Sequence, residues 1–257
     1  MSESNHQEAI IQKNPKLFDE IKRAKIDLDL FKSAYSERFS EWNKFDVESW
    51  SKEVHTLSRI EEVLAVVYKA MQLTTGYKPH DIQLLTVLLM LSKDLKVGRL
   101  AQVLTGEGKS LVIAMLVAIL KITKDSRADI VTSSEVLAKR DANKWASFYK
   151  LLNITVSHNI DDREKYFSKG PKDCYKYDVV YGTAHAFQAD ILRDEYQLAG
   201  TLNGRAADVV IVDEVDNMLI DEHNKSTLLS DEKHGFEKLT NLFLSNLVIV
   251  HFNSFYV

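Results

Sequence analysis

From Tyr77 onward, short apolar runs rich in β-branched residues alternate with longer helical stretches, and this alternation limits the fold more than any other feature. The runs are Leu100–Leu104, Asp129–Thr132, Thr155–His158, Asp178–Tyr181 and Asp208–Val212. They are apolar on both sides of the pleat, so they read as strands buried on both faces, as in a parallel sheet. Intervals of roughly 20 to 30 residues leave room for crossover helices, which makes the pattern βαβ. Composition agrees. The chain has only 9 Gly and 3 Pro in 257 residues, where average usage would give roughly 18 and 13. So few breakers favour long helices and argue against a many-turned sandwich or barrel.

The first 75 residues differ in character. They are dense in Lys, Glu and Asp, and Leu17, Ile21, Ile26, Leu30 and Phe31 recur at the spacing of an amphipathic helix. A second stripe, Val63, Leu64, Val67, Ala70 and Met71, predicts another helix over Ile60 to Leu73. Both read as packing helices. The expected whole is an α/β core behind a helical amino-terminal extension.

The formal net charge is −4, so there is no global basic signature for nucleic acid or anionic lipid. Cys174 is the only cysteine, which excludes an intramolecular disulfide and a cysteine-based zinc cage. The first residues carry no basic region followed by an apolar run, and Leu242–Val257 is too short and too polar to span a bilayer. These features predict a cytoplasmic protein, with peripheral attachment at a membrane as the alternative.

Two constellations carry chemistry. Thr105, Gly106, Glu107, Gly108, Lys109 and Ser110 follow the candidate strand Leu100–Leu104 and precede a candidate helix, Leu111 to Lys121. Glycines let a backbone wrap a phosphate, and amides at a helix start point at the anion. In that role Lys109 reaches the β- and γ-phosphates and the Ser110 hydroxyl ligates Mg²⁺. The strict phosphate-loop pattern wants glycine where Val103 stands, and the plain alternative is a surface turn. The second constellation is Val209–Val212 followed by Asp213, Glu214, Val215 and Asp216. A buried strand tipped by acids places them where open α/β sheets bind ligands. Asp213 then serves the metal and Glu214 the attacking water. The plain alternative is an acidic helix start that merely suits the macrodipole. The two motifs, about 100 residues apart, support each other: one binds an anion, the other the metal that neutralises it.

With these residues in place the chain resembles the amino-terminal nucleotide-binding half of the SecA preprotein translocase motor family, relatives of DEAD-box helicases. Thr105–Ser110 is similar to the family's TGEGKT, and Asp213–Asp216 matches its DEVD, followed by Leu219-Ile220-Asp221-Glu222 for LIDE. Val131-Thr132 with Leu137–Ala142, and Tyr181-Gly182-Thr183 with Asp190–Asp194, resemble two further blocks. Asp81-Ile82-Gln83-Leu84-Leu85 matches the segment that holds adenine. The resemblance implies a RecA-like parallel sheet sandwiched by helices, with ATP and Mg²⁺ as ligands. It divides the chain into a helical extension (1–60), a DEAD-like ATP-binding domain (61–230) and a divergent tail (231–257). Gln83 would read the adenine edge, its amide offering donor and acceptor together; the plain alternative is a capping side chain at a helix start. Arg140 and Arg193 fall in blocks that couple nucleotide state to neighbouring domains, but by themselves fit surface ion pairs.

The sequence departs from the family in places. His80 replaces a Phe, Tyr77-Lys78 a Met-Arg pair, and Ala184-His185-Ala186 an Asn-rich turn, with His185 expected to be inert. Ser110 replaces Thr and keeps the hydroxyl. The residues up to Val257 leave no space for the second RecA-like lobe, its arginine or the preprotein-binding domain, so slow hydrolysis is expected, with the missing lobe supplied in trans. The run Leu247–Val250 is β-branched enough to fill an open slot in the sheet. The implied partners are an unfolded preprotein and a membrane translocation channel, with nucleic acid disfavoured. Two rivals remain: a DEAD-like nucleic-acid helicase fragment, and a non-catalytic module that binds ATP as a switch.

Overall fold

The computed structural model describes residues 15–53, 58–91, 98–104, 106–160, 170–206 and 208–215. Thr105, Asp216, the LIDE segment, the 231–257 tail and the Leu247–Val250 run lie outside them.

Helix α1 spans Pro15–Ala34 and runs through a π-helical turn, Tyr35–Phe39. Helix α2, Lys44–Ser51, starts at Asn43, whose side chain accepts from the Phe45 and Asp46 amides while Asp46 accepts from the Asn43 amide. That reciprocal cap satisfies amides the helix cannot. Helix α3, Ile60–Thr75, ends at Gly76 in the left-handed conformation, φ 74°, where a β-carbon would be strained. Helices α4 (Asp81–Met90) and α5 (Lys109–Lys124) follow. Then come β1 (Ala128–Thr132), α6 (Glu135–Leu151), β2 (Val156–His158), β3 (Val179–Thr183), α7 (Ala184–Tyr196) and β4 (Val209–Val212).

The four strands form one parallel sheet in the order β2-β3-β1-β4. Ala128 pairs with Val179 on one side and Val209 on the other. All four strands therefore end at the same edge of the sheet. Its two faces bury alternate residues of each strand. Ile130, Val179, Tyr181 and Ile211 join the large core; Val131, Val180, Tyr175 and Phe187 form a smaller cluster on the other side. Helix α5 is buried almost all round, from Leu111 and Val112 through Ala114–Leu120, as a central helix must be when every face meets protein.

The large core also takes in Ala24, Leu28 and Phe31 of α1 and Val63–Val67, Ala70 and Met71 of α3. The buried stripe of α1 differs from the sequence expectation. Leu17, Ile21, Ala24, Leu28 and Phe31 face inward, while Ile26 and Leu30 are 58% and 42% exposed. Spacings of four and three keep one stripe on one face; Ile26 and Leu30 fall off it.

One expected strand is absent. Residues 98–104 form no ladder, with Leu100 83% and Leu104 68% exposed. A β-branched run becomes a strand only beside a partner, and no described strand lies against this one. Among the described residues, no helix is long and apolar enough to cross a membrane.

Candidate nucleotide site

The glycine loop is shaped by its two glycines. Gly106 and Gly108 have φ of 89° and 83°, values that cost an L-residue energy at each step. The Glu107 amide donates to the Leu104 carbonyl at 3.2 Å, closing the turn. The Gly108 carbonyl accepts from Leu111 and Val112 at 3.0 and 3.1 Å and so begins α5. The helix thus starts two residues earlier than the sequence suggests. Lys109 and Ser110 occupy its first turn, half-buried, where amides without intrahelical partners and the positive dipole end favour an anion.

Gln83, at the third position of α4, is tied to that loop. Its Oε1 accepts from the His80 amide at 2.9 Å, and its Nε2 donates to the Glu107 carbonyl at 2.8 Å. The side chain therefore caps its own helix and also braces the glycine turn. A primary amide still has one proton and one lone pair to offer a ligand. A β-carbon on Gly108 would lie 2.6 Å from Gln83 Nε2, so alanine there would strain φ and push the Gln83 amide away from the Glu107 carbonyl.

The acidic pair lies at the carboxyl edge of the sheet. One residue beyond β4, the Asp213 amide donates to the Val131 carbonyl at 2.9 Å and extends the β1–β4 register. Burial pushes the Asp213 carboxyl above the ordinary aspartate range; the Lys109 ammonium pulls it back, and Glu214 pushes it up again. Loop and acids, 104 residues apart in the chain, thus feel one another electrostatically. Glu214 turns into the left-handed region, φ 58°, and Ser133 Oγ donates to its Oε2 at 2.5 Å. Arg140 bonds Asp141 through Nε at 2.8 Å; that bond, with the fields of Asp213 and Glu214 added, holds its guanidinium protonated.

Asp213, Glu214 and Asp141 set against Lys109 and Arg140 leave one surplus negative charge, which suits a cation. Among the described residues no group of three or more His, Cys, Asp or Glu is placed to hold a metal. Magnesium keeps several waters and takes few protein ligands beside phosphates, so the Asp213 carboxylate and the Ser110 hydroxyl are the donors here of the kind that could hold it.

Other residues singled out in the sequence serve the frame. Arg193 contacts the fully buried Asp190 at 3.1 Å, beside Lys172 at 2.8 Å and the Tyr175 hydroxyl at 2.6 Å. Thr183 caps α7, accepting from the Ala186 amide at 3.2 Å. His185 is exposed on the first turn of α7. Sequence reasoning missed Ser133 and the Gln83–Glu107 bond. The Thr-Ser-Ser run after β1 signals a helix start, but nothing in it points to an acid 81 positions away.

A parallel sheet between helices, with a glycine turn at a helix start set against acids at the strand ends, defines a RecA-like, DEAD-like domain. The chain belongs to the SecA DEAD-like domain family, whose model matches residues 2–248. It is similar to the protein translocase subunit SecA of Campylobacter fetus, 34% identical over 196 residues. The corresponding subunits of Desulfovibrio desulfuricans and Carboxydothermus hydrogenoformans are 33% and 35% identical over 200 and 195 residues. Each match covers 74–75% of this chain and 21–22% of the relative. The chain therefore spans about a fifth of the length of these curated relatives.

Proposed function

We propose that this domain binds ATP with magnesium and acts as the nucleotide-sensing part of a protein-translocation motor. The supporting observation is electrostatic: the Lys109 ammonium acts on the Asp213 carboxylate across the corner where the sheet ends. In this reading Gly106, Glu107, Gly108, Lys109 and Ser110, with Thr105 before them, hold the phosphates, and Gln83 reads the base. Ser110 and Asp213 would hold a magnesium ion, which would supply neutralisation of phosphate charge. Glu214 orients the attacking water and takes its proton. Lys109 steadies the charge that builds on the transferred phosphoryl group. An unfolded preprotein and a membrane channel are the partners the SecA relationship suggests.

Calorimetry with a non-hydrolysable ATP analogue and Mg²⁺ tests this. Lys109→Ala is expected to weaken binding by about tenfold or more, the worth of roughly 1.4 kcal/mol. Equal affinity in both proteins would refute the site. Stimulation of turnover by unfolded polypeptide supports the translocase reading, whereas stimulation by RNA would favour a helicase function for this SecA-family domain.

A further inference from the structure

We infer that Ser133 is a positioning residue for Glu214, fixing which carboxylate oxygen faces the nucleotide corner. The inference rests on the reading that Glu214 orients the attacking water. Three consecutive hydroxyls leave the tip of β1, and each has its own partner. Thr132 Oγ1 shares its one proton between the Ser134 and Gly182 carbonyls, at 3.1 and 3.3 Å, tying β1 to β3. Ser134 Oγ accepts from the Leu137 amide at 3.3 Å and caps α6. Ser133 Oγ reaches across the sheet edge to Glu214 Oε2 at 2.5 Å. The strand end and the helix start are therefore secured without Ser133, and its hydroxyl is free for the acid.

An O–H to carboxylate bond of this length is charge-assisted and about twice as strong as a neutral one. It matters here because, among the described residues, the Ser133 hydroxyl is the one side-chain hydrogen bond given to Glu214, the Arg140 guanidinium acting on it through its field. The preceding amide is pinned to Val131 at 2.9 Å, and Glu214 itself sits at a positive φ. The adjacent acids differ in what holds them: Asp213 feels the field of the Lys109 ammonium, whereas Glu214 accepts directly from the Ser133 hydroxyl. With Oε2 committed, Oε1 is the oxygen that accepts the water's proton. A carboxylate that swivels would spend less time in that orientation, and misplacement of this kind is paid in turnover rather than in affinity.

The test uses the full chain, with Ser133→Ala, Ser133→Thr, Glu214→Gln and the Ser133→Ala/Glu214→Gln double variant. Ser133→Ala is expected to lower kcat by about tenfold at unchanged KM and with analogue Kd within about twofold, while Ser133→Thr restores kcat to within about threefold. In the double variant the serine change should have no further effect, because the group it positions is gone. A kcat unmoved by Ser133→Ala, a parallel loss of affinity, or full additivity in the double variant would overturn the inference. Analogue binding separates its failure from that of the site: a chain that binds the analogue better than Lys109→Ala but shows no turnover above that variant keeps the site and loses the role given to Ser133.

Discussion

Gly182 illustrates how a single residue can be dictated by its neighbours. A β-carbon there would lie 2.2 Å from Asn159 Oδ1 and 2.7 Å from Phe187 Cε2. Neither neighbour is free to yield: Asn159 is buried and Phe187 belongs to the small core. Gly182→Ala is expected to destabilise the protein by about 1–3 kcal/mol, read as a lower midpoint in chemical denaturation. Asp178 makes a different kind of prediction. Burial alone would raise its carboxyl, but Lys121 Nζ at 2.7 Å and the Thr155 amide and hydroxyl at 2.9 and 2.7 Å outweigh it, so it titrates below the ordinary aspartate range. An acid with a depressed native pKa adds stability above its unfolded value, about 3.9, and that contribution disappears as pH falls through the native value. Asp178→Asn should therefore be less stable than wild type at neutral pH, with the difference closing below about pH 4 in pH-dependent urea titrations.

At the scale of elements, the sheet is held at its amino-terminal edge by one side chain that sequence reasoning did not find. Arg205 is 6% exposed. Its Nη2 contacts Asp129 Oδ1 at 2.9 Å and the Ala128 and Asp178 carbonyls, each at 3.1 Å, and its Nη1 bonds the Tyr177 carbonyl. The guanidinium so rivets the starts of β1 and β3 together just before the chain enters β4. Burial raises the Asp129 carboxyl despite the attraction of Arg205, so the acid depends on its partner. Arg205→Met should cost about 3–5 kcal/mol, and adding Asp129→Asn should recover part of it, measured as unfolding free energy. The strands themselves were legible, because four of the five β-branched runs lie where strands form. Leu100–Leu104 was misread because a strand is a property of two segments, and propensity reports on one. The second strand loses Thr155 because Asp178 takes both its amide and its hydroxyl.

In the whole molecule, the helix stripes and the glycine turn were readable because their logic is local, repeating within a turn or closing within six residues. The contacts that organise the candidate site are not. Gln83 meets Glu107 across 24 residues and Ser133 meets Glu214 across 81, with no periodicity to announce them, and the same holds at the opposite edge of the sheet, where Arg205 meets Asp129 across 76. The amino-terminal helices read as packing helices, and α1 does share an apolar stripe with the central core, though with Ala24 and Leu28 in place of Ile26 and Leu30. Two ion pairs show what that placement does. Glu20 clasps Arg99 through two bonds, at 2.9 and 3.2 Å, and Lys32 meets Asp81 at 2.5 Å. Each pair is partly or largely exposed and so contributes little in salt, but their positions matter. One sits just ahead of the glycine turn, the other two residues before Gln83. About 18 Å of helix separates them, so a tilt of α1 would be felt at the start of α4 and in the segment ahead of the glycine turn together.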